Sequence, residues 1–172
     1  MASFGRGMDR LFSYGAQEIQ VGILKRLRGT PITRHTEEHG MVYASQPPYE
    51  VLQTDAIDFP TMQRLKRFAH VWDRTVNRGQ FVATAPLIWG ESGPFTPFVA
   101  WSDWLYREHG QVHALSLSKL TGYLSRYLVE VAAYGQDTVA RALDQDIRSR
   151  KVARTGLERQ QRHIVGRTQV PG

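Results

Sequence analysis

Two histidines that flank a pair of glutamates are the first residues whose types and spacing could do chemistry. His35 and His39 lie on either side of Thr36-Glu37-Glu38, and histidines four positions apart can face one side of a helix and bind the same metal ion. The zinc-protease motif, however, requires Glu directly after the first histidine, where this chain has Thr36. The neighbouring residues are also too polar for a buried helix, so the sequence predicts no metal site here.

A second histidine pair has the same spacing. His109 and His113 lie on either side of Gly110, and a glycine at that place disfavours one helix through both residues. We therefore expect histidines that are exposed or satisfied by neighbouring groups. Elsewhere the chain contains no recognisable Ser/His/Asp order, paired carboxylates or glycine-rich phosphate loop.

A group of cations follows the most apolar short stretch of the chain. Residues 18–24 are rich in β-branched side chains and end at the turn Gly29-Thr30-Pro31, a pattern typical of a strand buried on both faces in a parallel sheet or barrel. Lys25, Arg26 and Arg28 come at its carboxyl end, where α/β proteins place their ligands. From the spacing alone, an ordinary strand and turn with solvated cations is the favoured interpretation, because cations at a strand end are a weak signal.

Composition limits the classes of protein that need to be considered. The chain has 172 residues, 41% of them hydrophobic, and no cysteine, so its own residues can build no disulfide, thiolate zinc site or iron–sulfur cluster. The stretch 148–167 accounts for the whole formal charge of +6. No apolar run approaches the length of a membrane span, and residues 1–10 lack the apolar core of a signal peptide, so we expect a cytoplasmic protein.

The elements that must position these residues form two unequal parts. The fold class predicted is an α/β fragment followed by a mainly α region, with a first helix over 4–14 and two short strand-like pieces near 41–43 and 49–52. Further helices are predicted to begin at Asp58 and at Thr96. The predicted units are residues 1–54, a helical domain over 55–151, and a basic, disordered tail over 152–172.

Aromatic residues recur at helical spacing through the helical domain. They could line a pocket, but core packing is the simpler interpretation, because aromatic side chains at that period are what a small bundle buries. The residues concerned are Trp72, Trp101, Trp104, Tyr123 and Tyr127.

Several stretches give the chain a recognisable likeness from about residue 3 to residue 135. The stretches IQVGILKRLRGTPI, RHTEEHGMVYASQPPYEVLQTD and FPTMQRLKRFAHVWDRTVN resemble the C-terminal portion of cobalamin-binding-domain radical SAM proteins. In that group a cobalamin-binding domain precedes a radical SAM barrel, and a helical domain of unknown function follows it. The resemblance implies that residues 17–27 are a late strand of a partial TIM-type barrel.

The resemblance also implies a cofactor-binding site at the end of that strand. Leu24, Leu27, Gly29 and Thr30 would lie beside the adenine of S-adenosylmethionine, whereas the three cations would meet substrate acids or a neighbouring domain. The parent protein would use a [4Fe–4S] cluster, S-adenosylmethionine and cobalamin. The partners of this chain would be the rest of the barrel and the cobalamin domain.

The chain departs from the family pattern in one decisive respect. It lacks the Cys-x3-Cys-x2-Cys motif that would hold the cluster, and it lacks the early barrel strands and a cobalamin-binding domain. The expectation is therefore the C-terminal piece of an enzyme that is not catalytic alone, with Met1 an internal methionine. The alternative is a stand-alone helical interaction module whose basic tail binds nucleic acid, although that tail carries no interleaved aromatic residues.

Overall fold

The computed structural model describes residues 1–167, and from residue 154 onward it describes the backbone only. The helices and strands are α1 Ala2–Ser13, α2 His35–Glu38, β1 Val42–Tyr43, β2 Val51–Gln53, α3 Phe59–Trp72, α4 Phe95–His109, α5 Leu117–Glu130 and α6 Gln136–Arg167. Short 3-10 turns at Pro31–Arg34 and Ala85–Ile88 and a π turn at Asp73–Asn77 connect them. The described chain is mainly helical with one small antiparallel sheet.

Local sequence signals start two of the three central helices. Asp58 accepts a hydrogen bond from the Thr61 amide at 2.9 Å, which satisfies a free N–H in the first turn of α3. Ser116 does the same for α5 by accepting from the Lys119 amide at 3.2 Å. The predicted helix starts near Asp58 and Thr96 are confirmed to within a residue or two.

The core lies between α3, α4 and α5. The fully buried large side chains come mainly from these helices and include two tryptophans, three phenylalanines and four leucines. Their rings meet mostly edge to face, as in the contact of Trp72 with Phe98, whose centroids are 4.9 Å apart. The prediction that the helical aromatics form a core is confirmed. These tryptophans, phenylalanines and leucines are Trp72, Trp101, Phe68, Phe81, Phe98, Leu105, Leu120, Leu124 and Leu128.

Helix α1 packs against the start of α4 at very short range. The Asp9 carboxylate accepts a hydrogen bond from the Phe95 amide at 2.8 Å, so α1 caps the N-terminus of α4 from outside. A Cβ atom on Gly5 would lie 2.4 Å from the Phe95 ring, so only glycine fits there. The first helix is therefore joined to the helical core, and the boundary predicted near residue 55 stays a prediction.

Helix α6 is held by one buried carboxylate. Asp146 is 2% exposed and accepts hydrogen bonds from the Ala83 amide at 2.7 Å, the Thr84 amide at 3.0 Å and the Thr84 hydroxyl at 2.6 Å. The backbone continues as a helix to Arg167, and residues 168–172 lie outside the described part of the chain. The disorder predicted for 152–172 stays a prediction.

The predicted buried strand at residues 17–27 does not form in the described structure. The segment is extended, but only Lys25 has a strand partner, in an isolated antiparallel bridge to Glu50. Burial on both faces requires covering elements on both sides, and here Leu24 and Leu27 remain exposed. Among residues 1–167 the sheet consists of β1 and β2, paired Val42 with Gln53 and Tyr43 with Val51, and these residues form no partial barrel.

Candidate functional site

Hydrogen bonds hold the beginning of the extended segment, at Ile19, against the end of α3. The Ile19 carbonyl accepts hydrogen bonds from Trp72 Nε1 and from Asn77 Nδ2, both at 3.1 Å. The Ile19 amide donates to Asn77 Oδ1 at 3.3 Å. Both backbone groups of Ile19 are therefore satisfied, and its side chain is buried in the helical core.

The segment is held again six residues later by the small sheet. The Val51 amide donates to the Leu24 carbonyl at 2.8 Å, and the Arg26 amide donates to the Tyr49 carbonyl at 3.0 Å. Because alternate residues of a strand direct their backbone groups to opposite sides, the N–H and C=O of Lys25 point away from β2. Within the described residues no backbone group pairs with them, so the segment is an open sheet edge.

An apolar groove runs between this segment and α1. It has a volume of about 620 Å³ and is lined mostly by carbon. Several of its side chains are large, apolar and exposed, which is unusual for a surface of this size in a small domain. The principal apolar lining residues are Phe4, Met8, Leu11, Tyr14, Ile19 and Val21.

A tight turn follows the open edge. The Leu27 carbonyl accepts from the Thr30 amide at 3.2 Å and from the Thr30 hydroxyl at 2.6 Å. Gly29 has φ of +80°, and Arg28 is not among the positive-φ residues, so this is a type II turn that requires glycine at its third position. The turn predicted from Gly29-Thr30-Pro31 is present.

The four residues predicted to bind a cofactor lie together on this edge and turn. Leu24 is 42% and Leu27 58% exposed, which is high for leucine, and Gly29 has open space around it. The Arg26 guanidinium carbon lies 5.2 Å from the centroid of the Tyr43 ring, so one of the three cations already makes a cation–π contact. Exposed leucines beside an open turn fit a flat apolar ring, but the chain contains no thiolate that could fit an iron–sulfur cluster.

A second group of chemistry-bearing residues follows directly in α2. His35, Glu38 and His39 each offer one ligand atom, and these three atoms lie within 4.8 Å of one another. His35 Nδ1 is 3.1 Å from Glu38 Oε2, and His39 Nε2 is 4.0 Å from the same oxygen. The hydrogen bond from His35, followed by the charge of His39, holds the pKa of Glu38 below its ordinary value.

The sequence singled out the two histidines of this cluster but not Glu38, and the prediction of no metal site stays a prediction. The polar flanks do exclude a buried helix, but a single exposed helical turn is enough to bring positions i, i+3 and i+4 onto one side. The signal that could have found the cluster is the spacing of Glu38, which is three residues after the first histidine and adjacent to the second.

His109 and His113, which are four positions apart, each contact a different residue. His113 lies against His70 of α3, with ring centroids 4.4 Å apart, whereas His109 Nδ1 is 3.2 Å from the Tyr123 hydroxyl. Burial, and then the charges of His113 and Arg74, lower the pKa of His70. The expectation that His109 and His113 share no helix is confirmed.

Burial also affects one of the core aromatics. Tyr127 packs between Trp101 and Trp104, with ring centroids 5.1 and 5.4 Å away. This burial raises the pKa of the Tyr127 hydroxyl. In the described part of the chain, no helix combines the length and the apolar character that crossing a membrane requires.

The fold and these sites define a mainly helical domain that carries a small sheet with one open edge. Residues 37–154 match the model of a family described as protein of unknown function (DUF4080), and because the match covers more than half of the chain, the chain belongs to this family. The matched region includes Glu38 and His39 and most of α6, and it begins after the open edge. No curated protein and no solved structure shows significant similarity to the chain.

Proposed function

We propose that this chain is the C-terminal part of a radical SAM enzyme that uses a [4Fe–4S] cluster, S-adenosylmethionine and cobalamin. The observation that carries the proposal is the open edge at Lys25, together with the resemblance of the surrounding sequence to that group. A strand inside a partial TIM-type barrel has a neighbour on each side, and only the strands at its open edges have one. In the described chain the segment has a neighbour on one side only.

The occupant proposed for this edge and the adjoining groove is the preceding part of the barrel. A strand that runs beside Lys25 would satisfy its free N–H and C=O. Apolar side chains from the same unit would fill the groove along α1, where Leu11 and Tyr14 are exposed. Edge pairing and apolar burial together are what an incomplete sheet needs.

Leu24, Leu27, Gly29 and Thr30 are proposed to contact the adenine of S-adenosylmethionine. The two leucines supply apolar surface at the end of the segment, and the type II turn keeps side chains away from the backbone at Gly29. When bound elsewhere in the parent protein, the cluster would supply the electron for cleavage of S-adenosylmethionine. The chain has no cysteine that could bind the cluster. The ligands of the cluster and the cobalamin-binding site are proposed to come from the preceding domains.

The helical domain is proposed to cap the active site or to hold the substrate. Support comes from its rigid connection to the edge, because Ile19 is clamped by Trp72 and Asn77 of the core. A domain attached in this way keeps a fixed position relative to the turn that follows the edge. This chain alone is proposed to be non-catalytic.

The first test is the DNA sequence upstream of the codon for Met1, read in the same frame. The expected result is an open frame that encodes Cys-x3-Cys-x2-Cys after a cobalamin-type domain. Anaerobic reconstitution of that longer protein with iron, sulfide and cobalamin should then produce the absorption of both chromophores. An in-frame stop codon upstream, or a longer protein with neither chromophore, would contradict the proposal.

A pair of variants in the longer protein tests the cofactor-binding residues. Leu27→Glu places a charge where the adenine is proposed to lie, so binding of S-adenosylmethionine should weaken at least about tenfold, given the cost of burying an unpaired carboxylate. Val82→Glu is the matched control, because Val82 is an equally exposed apolar residue at 69%. Equal effects of the two substitutions would argue against contact with Leu27.

The alternative of a stand-alone interaction module makes a different prediction. It requires this chain to bind duplex DNA through its basic C-terminal region with an affinity that falls steeply with salt. Binding of that kind, combined with a stop codon upstream, would favour the module over the enzyme.

A further inference from the structure

We propose that His35, Glu38 and His39 form a binding site for a divalent transition-metal ion of the zinc class. Two imidazoles and one carboxylate are a ligand set that zinc accepts, and three protein ligands leave a position open for water or a substrate group. The three side chains come from one helical turn and the residue after it. The site does not depend on the radical SAM proposal.

The distances between the ligand atoms are close to those that a metal ion would impose. Zinc–ligand bonds of about 2.0–2.2 Å place neighbouring ligand atoms about 3.0–3.5 Å apart. His35 Nδ1 and Glu38 Oε2 are already 3.1 Å apart. His39 Nε2 is 4.0 Å from Glu38 Oε2, and no two of the three ligand atoms are more than 4.8 Å apart. Metal binding therefore requires His39 to move closer to both partners, and its side chain is 53% exposed and able to turn.

The backbone holds both ends of the cluster in place. The His39 amide donates to the His35 carbonyl at 3.1 Å, and the Asp55 amide donates to the His39 carbonyl at 3.0 Å. Gly40 closes the turn with φ of +52°, and a Cβ atom there would lie 1.9 Å from Asp55 Oδ1. The ligands are thus attached to a rigid turn, which reduces the entropy lost when a metal binds.

The metal would replace one proton in the present hydrogen-bond network. Arg34 Nε donates to His35 Nε2 at 3.1 Å, so the His35 proton lies on Nδ1 and faces Glu38. A metal on Nδ1 would shift the proton of the neutral ring to Nε2, where it would oppose the Arg34 donor. Arg34 therefore competes with metal binding, and its exposed side chain must turn away when the metal binds.

This competition provides a variant that should bind better than the wild type. We expect the tag-free full chain to bind one Zn²⁺, measured by competition with a chromophoric chelator, and Co²⁺ to give the visible absorption of a site with nitrogen and oxygen ligands. His35→Gln, Glu38→Gln and His39→Gln should each weaken Zn²⁺ binding at least about tenfold, since even outer-shell changes cost 10–100-fold. Arg34→Gln should strengthen it.

His113→Gln is the matched control, because His113 belongs to the other close histidine pair, with His70. Circular dichroism verifies that each variant remains folded, and the exposed positions of the three ligands make unfolding unexpected. The proposal is overturned if the full chain binds no Zn²⁺ at equimolar concentration, or if His113→Gln abolishes binding while His35→Gln and His39→Gln leave it unchanged. Zinc binding that is insensitive to all three ligand variants would overturn it equally.

Discussion

The helical core buries its apolar side chains, whereas the open edge leaves its apolar side chains exposed. In the core, Phe98 is 0% exposed and is surrounded by the rings of Phe68 and Trp72 of α3 and by that of Trp89. At the edge, Leu24 and Leu27 are about half exposed, and one side of the backbone has no partner among the described residues. The side chains of the core bury one another. The edge has the apolar composition of a buried strand, but no element of the described chain covers it. The proposed function assigns this edge an occupant, the preceding part of the barrel.

The largest effect is expected when the core is opened. Phe98→Ala removes a ring that contacts Phe68, Trp72 and Trp89, and it leaves a cavity that the rigid helices cannot fill. The free energy of unfolding should fall by about 3–5 kcal/mol, as measured by urea denaturation. A loss below about 1 kcal/mol would mean that the core is far looser than its burial indicates.

The second largest effect concerns the contact that joins α6 to the core. Asp146→Asn exchanges one acceptor oxygen for an NH₂ group, which cannot satisfy the Thr84 or Ala83 amide that it faces. Because hydrogen bonds to a charged group contribute about 1.5–3 kcal/mol, unfolding should become easier by that amount. The control is Asp144→Asn, on the exposed side of the same helix, which should change stability by less than about 0.5 kcal/mol.

A smaller effect should follow from pH. Burial, then the charges of His113 and Arg74, hold the pKa of His70 below its ordinary value, while a hydrogen bond with the Val112 backbone and the charge of Asp73 oppose this. The unfolded chain therefore takes up the proton first as the pH falls below about 6.5. Stability is full above that pH and decreases until the pH has fallen through the lowered pKa.

Two variants verify the origin of this pH dependence. Between about pH 7 and pH 5, the free energy of unfolding should decrease less in His70→Gln than in the wild type, because the contribution of His70 is absent. His113→Gln should make that contribution smaller, because it removes a neighbouring cation. An NMR titration of the His70 ring in both the wild type and His113→Gln measures the pKa directly. A His70 pKa that does not rise in His113→Gln would show that the charge of His113 contributes nothing to the lowered pKa.

Most of the helical part could be predicted because its signals are local. Asp58 before Pro60 and Ser116 three residues before Lys119 start α3 and α5 through hydrogen bonds within a single turn. The 3.6-residue periodicity then identified the buried faces, and the aromatics were correctly assigned to the core. These elements depend on residues that are close in sequence.

The contacts that join the elements could not be predicted in this way. Asp9 caps α4 across 86 positions, and Asp146 holds Thr84 across 62, so neither pairing leaves a local signature. The apolar run at residues 18–24 predicted a buried strand because periodicity reports what a segment can bury and not whether a cover is present. In α2 the sequence singled out His35 and His39 but not Glu38, since an exposed turn carries no apolar pattern that would place the three side chains together.

The smallest effect should come from the edge, and it is the sharpest test of the comparison. Leu27→Ser in this chain should change the free energy of unfolding by less than about 0.5 kcal/mol, because the side chain is 58% exposed and buries little surface. The same substitution in the longer protein should destabilise it by more, if the preceding barrel covers Leu27. Thermal denaturation of both proteins, with Val82→Ser as the control in each, measures the difference. Equal and small effects in the two proteins would mean that the leucine stays exposed, and the open edge would then be a surface without the proposed occupant.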